Sequence, residues 1–248
     1  IARLVGSEMC IRDSFNIDRG AFARPIARNG GYGMTKPMVH PDMECLAAAR
    51  APAGMFGTSI EEQRKAWTYY SNNLNQPPPN TMKVWEEIVP GEGFDVPVRI
   101  YRPAGAPAAG APGVVYIHGG GFMKGDLDSS DSVAWGFAEQ ASAIVISVDY
   151  RLTPEHPYPA AFNDCWNSLK WVHEHSSRLG IDPARIGLAG DSAGGNLGAA
   201  VALKARDIGG PAIACAAIVY PGTGLDQDYP SYPEYAEGTG LTTAGTNG

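Results

Sequence analysis

A chain of 248 residues, 44% hydrophobic and 18% charged, suits one globular domain with a sizeable core. Its net charge of −7, with no basic block anywhere, argues against a phosphate-binding surface, so no nucleic-acid partner is expected. Four scattered cysteines (Cys10, Cys45, Cys165, Cys215) without a C-x-x-C pair suggest neither a zinc site nor a disulfide framework, and no run approaches the roughly 18 apolar residues of a membrane span.

Ile1–Ser14 has no helical or strand period and resembles the translated adapter peptide that enters some metagenome assemblies, so it is expected to be a non-native leader. No basic segment leads into an apolar stretch, and a reducing cytoplasm is the expected location. Residues 15–57, rich in Gly, Pro and Met, read as irregular or weakly helical. Ser59-Ile60-Glu61-Glu62 fits a capping box, in which the Ser and Glu side chains satisfy free backbone N–H groups. It predicts a helix through about Tyr70, ended before Pro77-Pro78-Pro79. Lys83–Val89 and Val96–Arg102 flank a Gly91-Glu92-Gly93 turn. Val96, Val98 and Ile100 alternate with Pro97, Arg99 and Tyr101, which predicts a hairpin with one buried face. Pro103–Pro112 has the composition of a surface loop.

From residue 113 the pattern becomes strand–helix alternation. Val114–Ile117, Ile144–Val148, Ile186–Ala189 and Ile213–Tyr220 are short aliphatic runs, as expected for strands buried on both faces. Cys165 and Cys215, inside apolar runs, are expected to be small buried hydrophobes. Helices are expected near 130–141, 160–177 and 193–206. The second carries Phe162, Trp166, Leu169 and Val172 at three- and four-residue spacing and is followed by Gly180. Together these elements predict an α/β fold, a mostly parallel sheet with helices on both faces.

Gly190-Asp191-Ser192-Ala193-Gly194 is a G-x-S-x-G element, weak alone but set between the strand Ile186–Ala189 and a helix. A serine at so sharp a turn is held out of the sheet, and small neighbours such as Gly190 and Gly194 avoid collision. The helix start adds a positive dipole end. His118-Gly119-Gly120-Gly121-Phe122 directly follows the strand Val114–Ile117 and is far rarer by chance. Its glycines let the backbone aim N–H groups at one point. With the amide of Ala193, these could hold the oxyanion of a tetrahedral intermediate. A phosphate loop is the rival reading. It fails because neither segment has the G-x-x-x-x-G-K-[ST] ending or a full G-x-G-x-x-G.

His118–Phe122, Asp149–Ala160 (DYRLTPEHPYPA) and Gly190–Asn196 (GDSAGGN) resemble, in order and spacing, the hormone-sensitive-lipase family of α/β-hydrolase esterases from about residue 35 onward. The resemblance implies the α/β-hydrolase fold, with residues 15–80 as a cap segment and 81–248 as the core. It implies Ser192 as nucleophile, Gly119, Gly120 and Ala193 as oxyanion hole, and His118, Gly121, Gly190, Asp191 and Gly194 as motif support. The implied substrate is a short-chain acyl ester, cleaved through an acyl-enzyme with no metal or organic cofactor. Asp149–Ala160 is expected to fix a loop, and His118 to brace its own.

In this fold the triad runs Ser, acid, His in chain order. All five histidines (His40, His118, His156, His173, His175) precede Ser192. Residues 221–248 hold six Gly and three Pro, and no strand can be read there. The chain is therefore expected to be a fragment lacking the triad acid, the histidine and the last strands. It is further expected to be nearly inactive and poorly soluble, with an unpaired edge on Ile213–Tyr220. Two alternatives share the fold: a non-catalytic small-ligand-binding protein, like the plant gibberellin receptors that resemble this family, and a peptidase or amidase using the same site.

Overall fold

The structure, a computed structural model, describes residues 57–91 and 93–223, all within the unit Val39–Gly248. The expected leader 1–14, most of the expected cap segment 15–80, and residues 224–248 lie outside them. The first helix, α1 (Ile60–Leu74), opens as its sequence requires. Ser59 Oγ accepts the Glu62 N–H at 3.3 Å, and Glu62 Oε2 accepts the Ser59 N–H at 3.2 Å. It runs one turn past Tyr70, because the nearest helix breaker is Pro77.

Six strands follow among the described residues: β1 (Lys83–Val89), β2 (Val96–Arg102), β3 (Ala111–Ile117), β4 (Ile144–Val148), β5 (Ile181–Asp191) and β6 (Cys215–Val219). They form one sheet in the order β1-β2-β4-β3-β5-β6. β1 and β2 pair antiparallel, as do β2 and β4, whereas β3 pairs parallel with both β4 and β5, and β5 with β6. The connections carry α2 (Asp131–Ala141), α3 (Ala160–Glu174), the short α4 (Ser176–Leu179) and α5 (Ala193–Ile208). One face of the sheet packs Val115, Ile117, Ile146 and Leu188 against Leu169 and Val172 of α3 and Leu197 and Val201 of α5. The other packs Tyr101, Tyr116, Val145 and Ala189 against Ala134 and Ala138 of α2. Helices therefore cover both faces, which is why the central strands carry short runs of mostly aliphatic residues.

Several expectations change. The hairpin does not have one buried face: β2 lies between β1 and β4, so Tyr101 is buried beneath α2 while Val96, Val98 and Ile100 are buried on the opposite side. The expected loop 103–112 loses its last two residues to β3. The helix expected at 160–177 stops at Glu174, and α4 then ends at Gly180, whose φ of +75° suits a residue without Cβ. β6 is not buried on both faces. Among the described residues it pairs only with β5, and Cys215 is exposed rather than buried, whereas Cys165 inside α3 is buried. No helix among the described residues is long and apolar enough to cross a membrane.

For function, the decisive adjacency is that of β3 and β5. Ile117 pairs with Gly190, so the carboxyl ends of two central parallel strands bring the residues after Ile117 beside Asp191 and Ser192. In open α/β sheets this is the end where ligands bind.

Candidate active site

β5 delivers its chain into α5 with no intervening loop, and Ser192 takes up the turn at φ +52° and ψ −117°. A non-glycine residue tolerates such a conformation only where its surroundings over-determine it. They do so here: the Ser192 N–H donates to Val219 O at 2.9 Å, and Ser192 O accepts the Asn196 N–H at 3.0 Å as α5 begins. A Cβ on Gly190 would stand 2.5 Å from Gly194 O, and one on Gly194 would run into the carbonyl of Ile117. The two glycines are thus dictated by the packing of the turn against the end of β3.

The glycine loop carries three consecutive residues at positive φ, Gly120 at +137°, Gly121 at +64° and Phe122 at +63°, of which Phe122, with its Cβ, is strained. Gly120 O accepts the N–H groups of Met123 (3.2 Å) and Lys124 (3.0 Å), folding the loop back on itself. Phe122 O accepts both the N–H (2.9 Å) and the hydroxyl (3.2 Å) of Thr153. At its start, the Gly119 N–H donates to Asp191 Oδ1 at 3.2 Å, and the Tyr116 hydroxyl donates to the same oxygen at 2.8 Å. Of the three donors expected to form the oxyanion hole, Gly119 is therefore engaged by Asp191. The amides of Gly120 and Ala193, and that of Gly121, have no partner among the described residues.

His118 is buried, its ring stacked on Tyr150 with centroids 4.3 Å apart. Nδ1 lies 2.8 Å from Gly119 O, which assigns the proton to that nitrogen, while the Tyr150 hydroxyl donates to His118 O at 2.8 Å. Nε2 is buried without a partner. Burial holds the ring's pKa below the usual histidine value, so it stays neutral at pH 7, in keeping with a bracing role. Of the other described histidines, His175 stacks on Trp171, His156 lies against Phe94 and His173 sits in the last turn of α3. Within Asp149–Ala160, the Arg151 backbone N–H and guanidinium bind the buried Asp164 carboxylate at 2.7–3.2 Å, which fixes the loop. Asp149, at the end of β4, is pushed up to about 6, first by burial and then by Asp126, with Arg99 opposing.

Sequence reasoning missed Tyr116, whose hydroxyl binds the Asp191 carboxylate that holds Gly119, and Tyr150, whose hydroxyl binds His118 O. It named Asp191 as motif support without its partners. The available signal was the strand period, which puts Tyr116 and His118 two residues apart at the end of one strand. No group of three or more potential metal-ligating side chains occurs among the described residues.

A family model described as an alpha/beta hydrolase fold matches residues 114–247. Among curated proteins the chain is similar to Esterase LipI of Mycobacterium tuberculosis, 48% identical over 73% of this chain and 58% of that protein. It is similar also to Carboxylesterase NlhH of the same species, 49% identical over 63% of this chain and 49% of that protein. Among solved structures, a hyperthermophilic esterase from the archaeon Pyrobaculum calidifontis superposes with a TM-score of 0.75 at 32% identity, covering 85% of this chain and 68% of the other. An ester-hydrolase from the metagenome of Lake Arreo, complexed with a derivative of bipyridine phosphonate, gives 0.77 at 32% identity over 85% and 69%. The chain spans about half the length of the curated relatives it matches.

Proposed function

Since the chain belongs to the hormone-sensitive-lipase family of α/β-hydrolase esterases, we propose that it acts on carboxylic esters of short acyl chains with Ser192 as the nucleophile. The observation that carries this reading is Ser192 at φ +52° in the β5–α5 turn, tied through Asp191 to a glycine loop with unpartnered amides. Ser192 Oγ attacks the acyl carbon, and the carbonyl electrons move onto oxygen. The N–H groups of Gly120 and Ala193 hold that oxyanion, collapse of the intermediate breaks the acyl C–O bond and expels the alcohol, whose oxygen takes up the proton lost by Ser192, and water then releases the acid from the acyl-enzyme. Ser192 regains its proton in the last step.

The proton that leaves Ser192 needs a base, which in this fold is a histidine later in the chain. Residues 193–248 contain none. Turnover by the 248-residue chain then rests on attack by an unactivated Ser192 hydroxyl, assisted by oxyanion stabilisation and substrate binding, and is slow. Hydrolysis of p-nitrophenyl acetate, butyrate and octanoate, compared between the chain and Ser192→Ala, tests the reading. The expected result is a slow rate, greater for the short esters, that the substitution abolishes. A rate unaffected by Ser192→Ala contradicts it, and saturable ester binding with no turnover moves the assignment to a ligand-binding protein.

A further inference from the structure

Arg64 lies on α1, outside every motif named above, yet its guanidinium reaches both loops of the site. Nε donates to Met123 O at 2.9 Å, two residues beyond Gly121. Nη2 donates to Thr153 O at 3.1 Å, and Nη1 and Nη2 grip the Glu155 carboxylate at 2.8 and 2.7 Å. Thr153 is the residue whose N–H and hydroxyl hold Phe122 O. Arg64 therefore closes a ring of bonds around the segment Phe122–Met123. A second contact from α1 adds to it, with Lys124 Nζ over the Trp67 ring at 5.8 Å.

As an isolated ion pair this one would add little, since its side chains are 30% and 48% exposed. What it holds gives it weight. Gly120 and Gly121 enter positive φ without cost and so do not themselves hold the loop in one shape, whereas Phe122 at φ +63° is strained and persists only where its surroundings fix it. Asp191 fixes the start, through Gly119. The end is tied to neighbouring elements by Thr153 and Arg64, beside the packing of Phe122 on the core and the contact of Lys124 with Trp67. We infer that Arg64 is a positioning residue for the oxyanion loop, clamping its far end to the Arg151–Glu155 segment so that the Gly120 amide stays aimed at the reacting carbonyl. A planar fork matches this set of acceptors, two carbonyls and a carboxylate at fixed angles, and an ammonium does not. The Arg64 hydrogen bonds also hold the Glu155 carboxyl down to about 2, so the clamp remains charged in mild acid.

The positioning role rests on the esterase reading, whereas the clamp itself does not, and the test separates the two. Hydrogen–deuterium exchange is followed on the full chain and on Arg64→Ala, Arg64→Lys and Glu155→Gln, alongside p-nitrophenyl butyrate kinetics. In Arg64→Ala, the hydrogen-bonded amides of Met123 and Lys124 should exchange about tenfold faster while those of β4 stay unchanged. Ser192-dependent kcat should fall about tenfold with KM within about twofold. Arg64→Lys and Glu155→Gln should lie between, each keeping part of the ring. Unchanged loop exchange in Arg64→Ala overturns the clamp. So does faster exchange spread over β4 as well, which would make Arg64 a general support of the fold. Faster loop exchange with kcat unchanged overturns the positioning role alone. If the unmodified chain shows no Ser192-dependent hydrolysis, the esterase reading and the positioning role fall together, while the exchange data still decide the clamp.

Discussion

Asp191 accepts the Gly119 N–H at 3.2 Å, so the residue before the nucleophile holds the residue that opens the glycine loop. The same oxygen takes the Tyr116 hydroxyl, which points the carboxylate along the end of β3. Asp191→Ala removes the acceptor and leaves two donors unpaired, at about 1–3 kcal/mol. Asp191→Asn keeps an acceptor oxygen. Ser192-dependent ester hydrolysis should fall about 10- to 100-fold in the alanine variant and less than about threefold in the asparagine one. Equal losses would show that charge, rather than the acceptor, matters.

Gly120→Ala should disable the site without unfolding the chain. A Cβ there collides with the carbonyl of Lys124, and φ +137° is strained for any side chain, so the loop has to move. Losing one oxyanion donor costs about 10²- to 10³-fold in kcat. Steady-state kinetics with circular dichroism of the variant checks both halves: a large drop in kcat and an unchanged spectrum.

Asp164 is 1% exposed and binds Arg151 through three side-chain contacts of 2.7–3.2 Å. Asp164→Ala leaves the guanidinium facing a buried site with no counter-charge. About 3–5 kcal/mol of stability should be lost. Urea denaturation measures it, and a loss under about 1 kcal/mol would mean that water replaces the carboxylate.

Asp149 gives the chain a pH dependence of unusual sign. Its carboxyl, raised from 3.8 to about 6 by burial and by Asp126, with smaller contributions from Asp128 and Glu86 against Arg99, binds its proton more tightly folded than unfolded. Between about pH 4 and 6 the folded state keeps a proton that the unfolded chain has released. Its contribution to stability is therefore complete below the unfolded value and is lost as pH rises through about 6. Asp149→Asn should match the unmodified chain near pH 4 and exceed it by about 1–3 kcal/mol at pH 7. Denaturation curves that stay parallel from pH 4 to 7 would refute this.

The elements legible in the sequence were those whose side chains encode their own surroundings. The β1–β2 hairpin follows from alternation and β4 from an aliphatic run broken only by Ser147, and both have the expected bounds. β5 begins five residues before the apolar run at Ile186, across Asp182 and Pro183, because Ile181 finds a partner in Ala111 beyond a register shift. No local pattern encodes such pairing. The exposure of β6 was illegible for a similar reason: aliphatic residues say that a strand can be buried, not what stands beside it. Within the site, the two motifs mark Ser192 and the glycines, but the bond from Asp191 to Gly119 exists only because β3 and β5 are neighbours. Arg64 is 59 residues from Met123 and 91 from Glu155, a separation with no sequence signature.

Covalent labelling by a fluorophosphonate, located by peptide mapping, decides whether Ser192 is a nucleophile. A similar fold carries a phosphonate derivative in the Lake Arreo ester-hydrolase. The expected result is a slowly formed adduct on Ser192 that is absent from Ser192→Ala. An adduct on another residue, or equal labelling of the alanine variant, would contradict the assignment of Ser192 and with it the proposed ester chemistry.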